Sequence, residues 1–139
     1  MSAPAPAAPA YSPARKVGDL LFVSGQLPIR DGRLIAPGIV GGSVGVEAAA
    51  EAAAEAAALC LKAAEAALGS LEAIAHVVKV TGYVAATAEF VDHATVIDAA
   101  SRVFTRTLGA AGEHARAAIG VASLPRGSSV EVEAIFALA

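Results

Sequence analysis

Between Val46 and Leu68 the chain places Glu47, Glu51, Glu55, Lys62 and Glu65 within roughly 80° of one another on a 3.6-residue wheel. Almost everything else in that stretch is alanine, leucine or the lone cysteine, Cys60. This pattern constrains the fold more than any other part of the chain. A broad face of small side chains lets a neighbouring layer come close, so the spacing predicts a long helix buried against a sheet, with Gly69 as its stop. Three glutamates near the N-terminus suit the helix dipole, at a cost of a few tenths of a kcal/mol for like charges four apart. With no histidine beside them they read as a solvated face and not as a metal site.

The strands such a helix needs are legible on both sides of it. Lys16-Val17-Gly18-Asp19 reads as a turn and Leu20 to Ser24 as a strand, interrupted by Ser24-Gly25-Gln26, where a glycine permits close approach to the backbone. Asp31-Gly32 is a two-residue hairpin signal. Gly38 to Gly45 is glycine-rich without the Gly-Lys-Ser/Thr of a phosphate loop, and reads as a mobile loop. His76 to Val84 predicts a buried strand with Val78, Val80, Gly82 and Val84 on one face. A second helix is expected from about Ala88 to Leu108, capped by Thr87, with Phe90, Ala94, Ile97, Ser101, Phe104 and Leu108 as its buried stripe. On it Asp98 and Arg102 are spaced for an i,i+4 pair.

The last stretch, Glu113 to Phe136, reads as two strands joined in a hairpin at Leu124-Pro125-Arg126-Gly127. Arg116 sits on the first. Glu131 and Glu133 share one face of the second, opposite Val130, Val132 and Ala134. A guanidinium and two carboxylates in so apolar a segment mark a site or a paired charge cluster. The whole is an α+β single domain, a mixed sheet with two main helices packed on one face. A Pro/Ala-rich flexible arm over residues 1–10 precedes the domain at 11–139.

Composition narrows the function. The 139 residues suit one domain, and 56% of them are hydrophobic against 17% charged. No uncharged stretch reaches the roughly 18–20 apolar residues of a membrane span, so the apolar excess points to an oligomer. A net charge of −3 is a poor footprint for nucleic acid. One cysteine allows neither an internal disulfide nor a cysteine-based zinc cluster, and its place on the apolar helix face makes it a packing residue. The N-terminus has no secretory pattern, so the cytoplasm is the expected address.

Three segments in order carry a family resemblance: Leu21 to Pro28, then Val77 to Val84, then Ala115-Arg116 with Leu124 to Gly127 and Val130 to Ile135. Over nearly its whole length the chain resembles the RidA/YjgF family, also called endoribonuclease L-PSP, whose fold is chorismate-mutase-like. The resemblance implies a homotrimer with pockets in the clefts between subunits. It also implies hydrolysis of reactive 2-imino acids to 2-keto acids and ammonia, with no metal or organic cofactor. By the same resemblance Arg116 binds the substrate carboxylate and Glu131 is the catalytic acidic residue. Tyr11, Ser24 and Gly25 complete the substrate-binding set. The chain departs from the family at Cys60 and Ile97, where asparagine is usual, at Ala118 in place of a pocket cysteine, and at His114 in place of proline.

Each residue has a plainer reading beside this one. Arg116 could pair with Glu131 or Glu133 across the hairpin, Tyr11 could be packing on a loose arm, and Ser24 could simply end a strand. Glu133 reads as structural and His114 as a surface histidine. For the molecule, the rival to the deaminase is a non-catalytic module on the same trimer that binds a keto acid or another small carboxylate. A ribonuclease rests on the family's label alone, and the acidic balance counts against it.

Overall fold

The computed structural model describes residues 9–139. Most of the arm expected over residues 1–10 therefore lies outside the described residues. Strands β1 (Ala14–Val17) and β2 (Leu20–Gln26) form a hairpin around Gly18, and β3 (Ile29–Arg30) and β4 (Arg33–Leu34) form a second. The turn of the second has Asp31 and Gly32 both at positive φ, 53° and 76°, as a two-residue primed turn requires. Helix α1 (Val46–Leu68) then precedes β5 (Ile74–Ala85), α2 (His93–Leu108), β6 (Ala115–Val121) and β7 (Val130–Leu138). The main sheet has the order β1-β2-β7-β5-β6, antiparallel throughout except for the parallel pair β5–β6, and both helices cover one face.

Helix α1 follows its pattern to the residue. Ala49, Ala52, Ala53, Ala56, Ala57, Cys60, Leu61 and Ala64 are buried, and Gly69 ends the helix at φ 84° with its N–H on Glu65 O at 2.8 Å. An alanine buries little area, so this face contributes mainly by bringing the helix close to the sheet. The Cys60 thiol is fully buried 3.2 Å from Val132 O, and burial pushes its pKa up, which makes it an inert packing group. Arg30 ties the small hairpin to the acidic row through Glu51 and Glu55 at 3.3 and 3.2 Å, exposed pairs of small energetic weight.

Four sequence expectations change. Strands β6 and β7 do not pair as a hairpin, because β5 lies between them. Arg126 and Gly127 both take positive φ, 60° and 77°, and the link from Ala122 to Ser129 is long enough to step over one strand. The outcome follows burial: β7 buries every second residue from Val130 to Phe136 and takes a central position, while β6 stays at the edge. In β5 an irregularity between Val77 and Lys79 inverts the alternation, so Val77 is buried with Val80 and Val84 while Val78 is 40% exposed.

Helix α2 starts at His93, five residues later than expected. Thr87 donates its N–H to Val40 O at 3.0 Å instead of capping, and the buried stripe is Val96, Ile97, Ala100 and Phe104. Last, the Gly38–Gly45 loop is stitched to the end of β5. Val40 is fully buried, its N–H donates to Ala85 O at 2.8 Å, and the Gly38 N–H donates to Gly127 O at 2.9 Å.

Candidate functional site

The expected site residues separate into two groups. The first gathers at a bulge in β2. Val23 pairs with Ala134 and Gln26 with Val132, so β2 carries one residue more than β7 across this interval, and Ser24-Gly25 is pushed out of the ladder. Gly25 is needed there because a Cβ would lie 2.9 Å from the Glu131 carboxyl carbon. Ser24 anchors the preceding segment: its Oγ donates to Ser12 O at 2.6 Å and its N–H to Pro13 O at 2.9 Å. Tyr11 is thereby held at a cleft of about 580 Å³ that it lines with Gly25, Gln26, Leu59, Pro125 and Arg126. Gly25 touches both features, since it lines the cleft and lies against the Glu131 carboxylate.

Glu131 is half-buried on the sheet face away from the helices, in register with Tyr83. Burial, and then the charge of Glu133 two residues on, holds its pKa above the ordinary carboxylate range. Tyr83 donates a short hydrogen bond to Glu133 Oε1. That bond leads the causes that push the phenol up to about 12, so Tyr83 stays a donor at any ordinary pH.

Arg116 forms the second group. It pairs with Val80, which pairs with Ala134, which pairs with Val23, and those three side chains are buried under the helices. Arg116 thus projects on the helix side of the sheet, where Nη1 donates to Asp98 Oδ1 at 2.7 Å and to Ser101 Oγ at 3.2 Å. The alternative partnership of Arg116 with Glu131 or Glu133 is absent, and the Asp98–Arg102 pair does not form because Asp98 is engaged by Arg116.

His114 is not a surface histidine. It packs edge-on against Phe104, donates from Nδ1 to Gly112 O at 2.6 Å and places Nε2 2.9 Å from Ser101 Oγ. A cavity of about 320 Å³ is lined by Ser101, Thr105, Glu113, His114 and Arg116. Ile97, at one of the departures from the family pattern, is core, and Gly82 makes room for it. Ala118 packs partly buried against the same core.

Sequence reading missed Asp98, Ser101 and His114. The available signal was a polar i, i+3, i+7 row on α2 (Asp98, Ser101, Thr105) alongside the buried stripe. Among the described residues no three histidine, cysteine or carboxylate side chains gather as a metal site. No described helix is long and apolar enough to cross a membrane.

A small α+β domain with one helix-covered sheet face and a bulged Ser-Gly beside a glutamate is thus in place. The chain belongs to the endoribonuclease L-PSP family, the group that includes the YjgF and RutC proteins, and it matches that family over residues 1–138. It is 38% identical over 138 residues to Protein TCP17 of Trypanosoma cruzi, covering 97% of this chain and 86% of that one. The crystal structure of Atu1372 from Agrobacterium tumefaciens, a protein of unknown function, superposes with a TM-score of 0.91 at 45% identity, covering 94% and 83% of the two chains. The YjgF gene product of E. coli superposes with a TM-score of 0.68 at 26% identity, covering 96% and 92%.

Proposed function

We propose that this protein hydrolyses reactive 2-imino acids to 2-keto acids and ammonia, in pockets completed between the protomers of a homotrimer. The observation that carries the reading is the separation of Arg116 from Glu131 and Gly25 by the sheet itself. Each half of the expected site is incomplete within one chain, and a second copy supplies what the first lacks. The open sheet face carries Phe22 and Ile119 at 41% and 44% exposure, apolar area suited to association.

The chemistry follows from the residue types. Arg116 keeps its Nε–Nη2 edge for two parallel hydrogen bonds to the substrate carboxylate. The carbon of a protonated imine is already electrophilic. Glu131, with its raised proton affinity, accepts a proton from water as the oxygen bonds to that carbon. The proton then passes to nitrogen, the C–N bond breaks, and ammonia leaves as the C=O forms and its hydroxyl proton goes to Glu131. The Gly25 amide and the Tyr11 hydroxyl orient the water. No metal or organic cofactor enters these steps.

A non-catalytic module that binds a keto acid or another carboxylate is the second reading. It is favoured by the Arg116–Asp98 contact, which leaves the guanidinium partly engaged before any ligand arrives. One experiment separates the two. An amino-acid oxidase generates 2-iminopropanoate in place, and semicarbazide traps whatever imine remains. Wild type is expected to reduce the trapped product while Arg116→Ala and Glu131→Ala do not. No reduction by wild type, across several amino-acid precursors, would end the hydrolase reading.

A further inference from the structure

The ion pair on Arg116 is only half used. Nη1 serves both Asp98 and Ser101, while Nε and Nη2 have no acceptor among the described residues and Asp98 Oδ2 has no donor. The Asp98 side chain is 46% exposed and that of Arg116 23%. Ser101 is fixed in turn: its hydroxyl oxygen accepts from Arg116 and lies 2.9 Å from His114 Nε2, and the other ring nitrogen donates to the Gly112 carbonyl. Two carboxylates share this corner with Arg116: Asp98 at its Nη1 and, lining the 320 Å³ cavity, Glu113.

That charge pattern is wrong for a bare carboxylate. Asp98 already balances the guanidinium, and a ligand anion on the open edge meets Asp98 and Glu113 as like charges. A cationic nitrogen on the carbon next to the carboxylate reverses the balance, because guanidinium, carboxylate, nitrogen and Asp98 then alternate in sign around a ring. The geometry points to Arg116 and Asp98 acting together as a zwitterion clamp, the guanidinium taking the carboxylate and Asp98 the cationic nitrogen of an α-iminium or α-amino acid. This rests on the reading of Arg116 as the carboxylate anchor, and it narrows the ligand from carboxylates in general to those with an adjacent positive nitrogen.

The test is binding and not turnover. The full-length protein is titrated with L-alanine and, separately, with pyruvate, following the Arg116 Nε–H and Ser101 amide resonances. Wild type is expected to bind L-alanine at least about tenfold more tightly than pyruvate, since both carboxylates meet the like charge of Asp98 and only the ammonium of alanine offsets it. Asp98→Asn is expected to lose that preference or invert it, with pyruvate gaining affinity, and Arg116→Ala to lose both ligands. Asp98→Ala serves as a second variant, and both Asp98 variants are checked for wild-type amide spectra away from α2.

Equal affinity of wild type for the two ligands, binding of neither, or equal weakening of both in Asp98→Asn would overturn the clamp. The two readings fail separately. Discrimination without imine hydrolysis removes the hydrolase and keeps the clamp, whereas hydrolysis with equal affinities does the reverse.

Discussion

At the scale of single residues, Glu131 shows how a site and its stability oppose each other. Burial, and then Glu133, raises its pKa, so the folded state holds this proton more tightly than the unfolded chain does. A raised folded-state value contributes stability below the unfolded carboxylate pKa, and that contribution is lost as pH rises through the folded value. At neutral pH the charge is therefore a net cost, and Glu131→Gln is expected to raise the melting temperature while abolishing imine hydrolysis. The side chain is only half-buried and solvent screens it, so the gain is about 0.5 kcal/mol at most. Thermal melts at pH 7 and pH 4 check this: the advantage of the variant should shrink at pH 4, and a variant less stable at both would refute it. Glu133→Gln tests the second cause. Removing that charge lowers the Glu131 pKa, so the acid limb of kcat/KM moves to lower pH, and the amide oxygen still accepts from Tyr83. An unmoved limb would mean that Glu131 is not the titrating base.

Elements were legible where a single periodicity ran unbroken from cap to cap. Helix α1 is such a case, because its acidic row, alanine face and terminal glycine all point the same way. The start of α2 was not, since Ala88 to Asp92 continues a helix-compatible composition while the backbone is committed to a turn held by Thr87 and Val40. Strand β5 was placed correctly and Val80, Gly82 and Val84 share the expected buried face, but Val77 and Val78 are exchanged, because one irregularity after Val77 shifts the alternation and leaves no mark in the residue types. The hairpin failed because adjacency in sequence says nothing about which strand lies between two others. The site divides the same way. Gly25 and Glu131 are brought together by strands in contact, while Arg116 belongs to an arrangement with α2 that only the crossover creates.

The close contact between α2 and β5 gives a prediction at this scale. A Cβ on Gly82 would fall 2.5 Å from the Ile97 Cδ1. Gly82→Ala should therefore destabilise by roughly 1–3 kcal/mol through overpacking, and Ile97→Ala by roughly 2–5 kcal/mol through a cavity. The double variant should lose less than the sum, because each change makes room for the other. Additive losses in urea unfolding would show that the two positions do not share this space.

For the whole molecule, the decisive question is whether Arg116 and Glu131 serve one pocket from two chains. They project from opposite faces of one sheet, with β5 between their strands, so a single small substrate cannot touch both within a protomer. If the pockets are shared, each is built from the Arg116 of one protomer and the Glu131 of another. Arg116→Ala and Glu131→Gln would each be inactive alone; Arg116 lies on the other side of the sheet from the exposed apolar face, and Glu131→Gln keeps the side-chain size of the one residue of the pair that lies on it. Unfolded together in equal amounts and refolded, the two would assemble at random. Half of the protomers then supply an intact arginine and the other half an intact glutamate, so about one pocket in four is whole and activity returns to about a quarter of wild type. Light scattering on the same sample should give three times the 13.7 kDa chain mass. Activity that stays at zero in a mixed trimer would place the catalytic residues elsewhere. A monomer would remove the shared pocket altogether, and with it the reason for a carboxylate anchor and a general base to sit on opposite sides of one sheet.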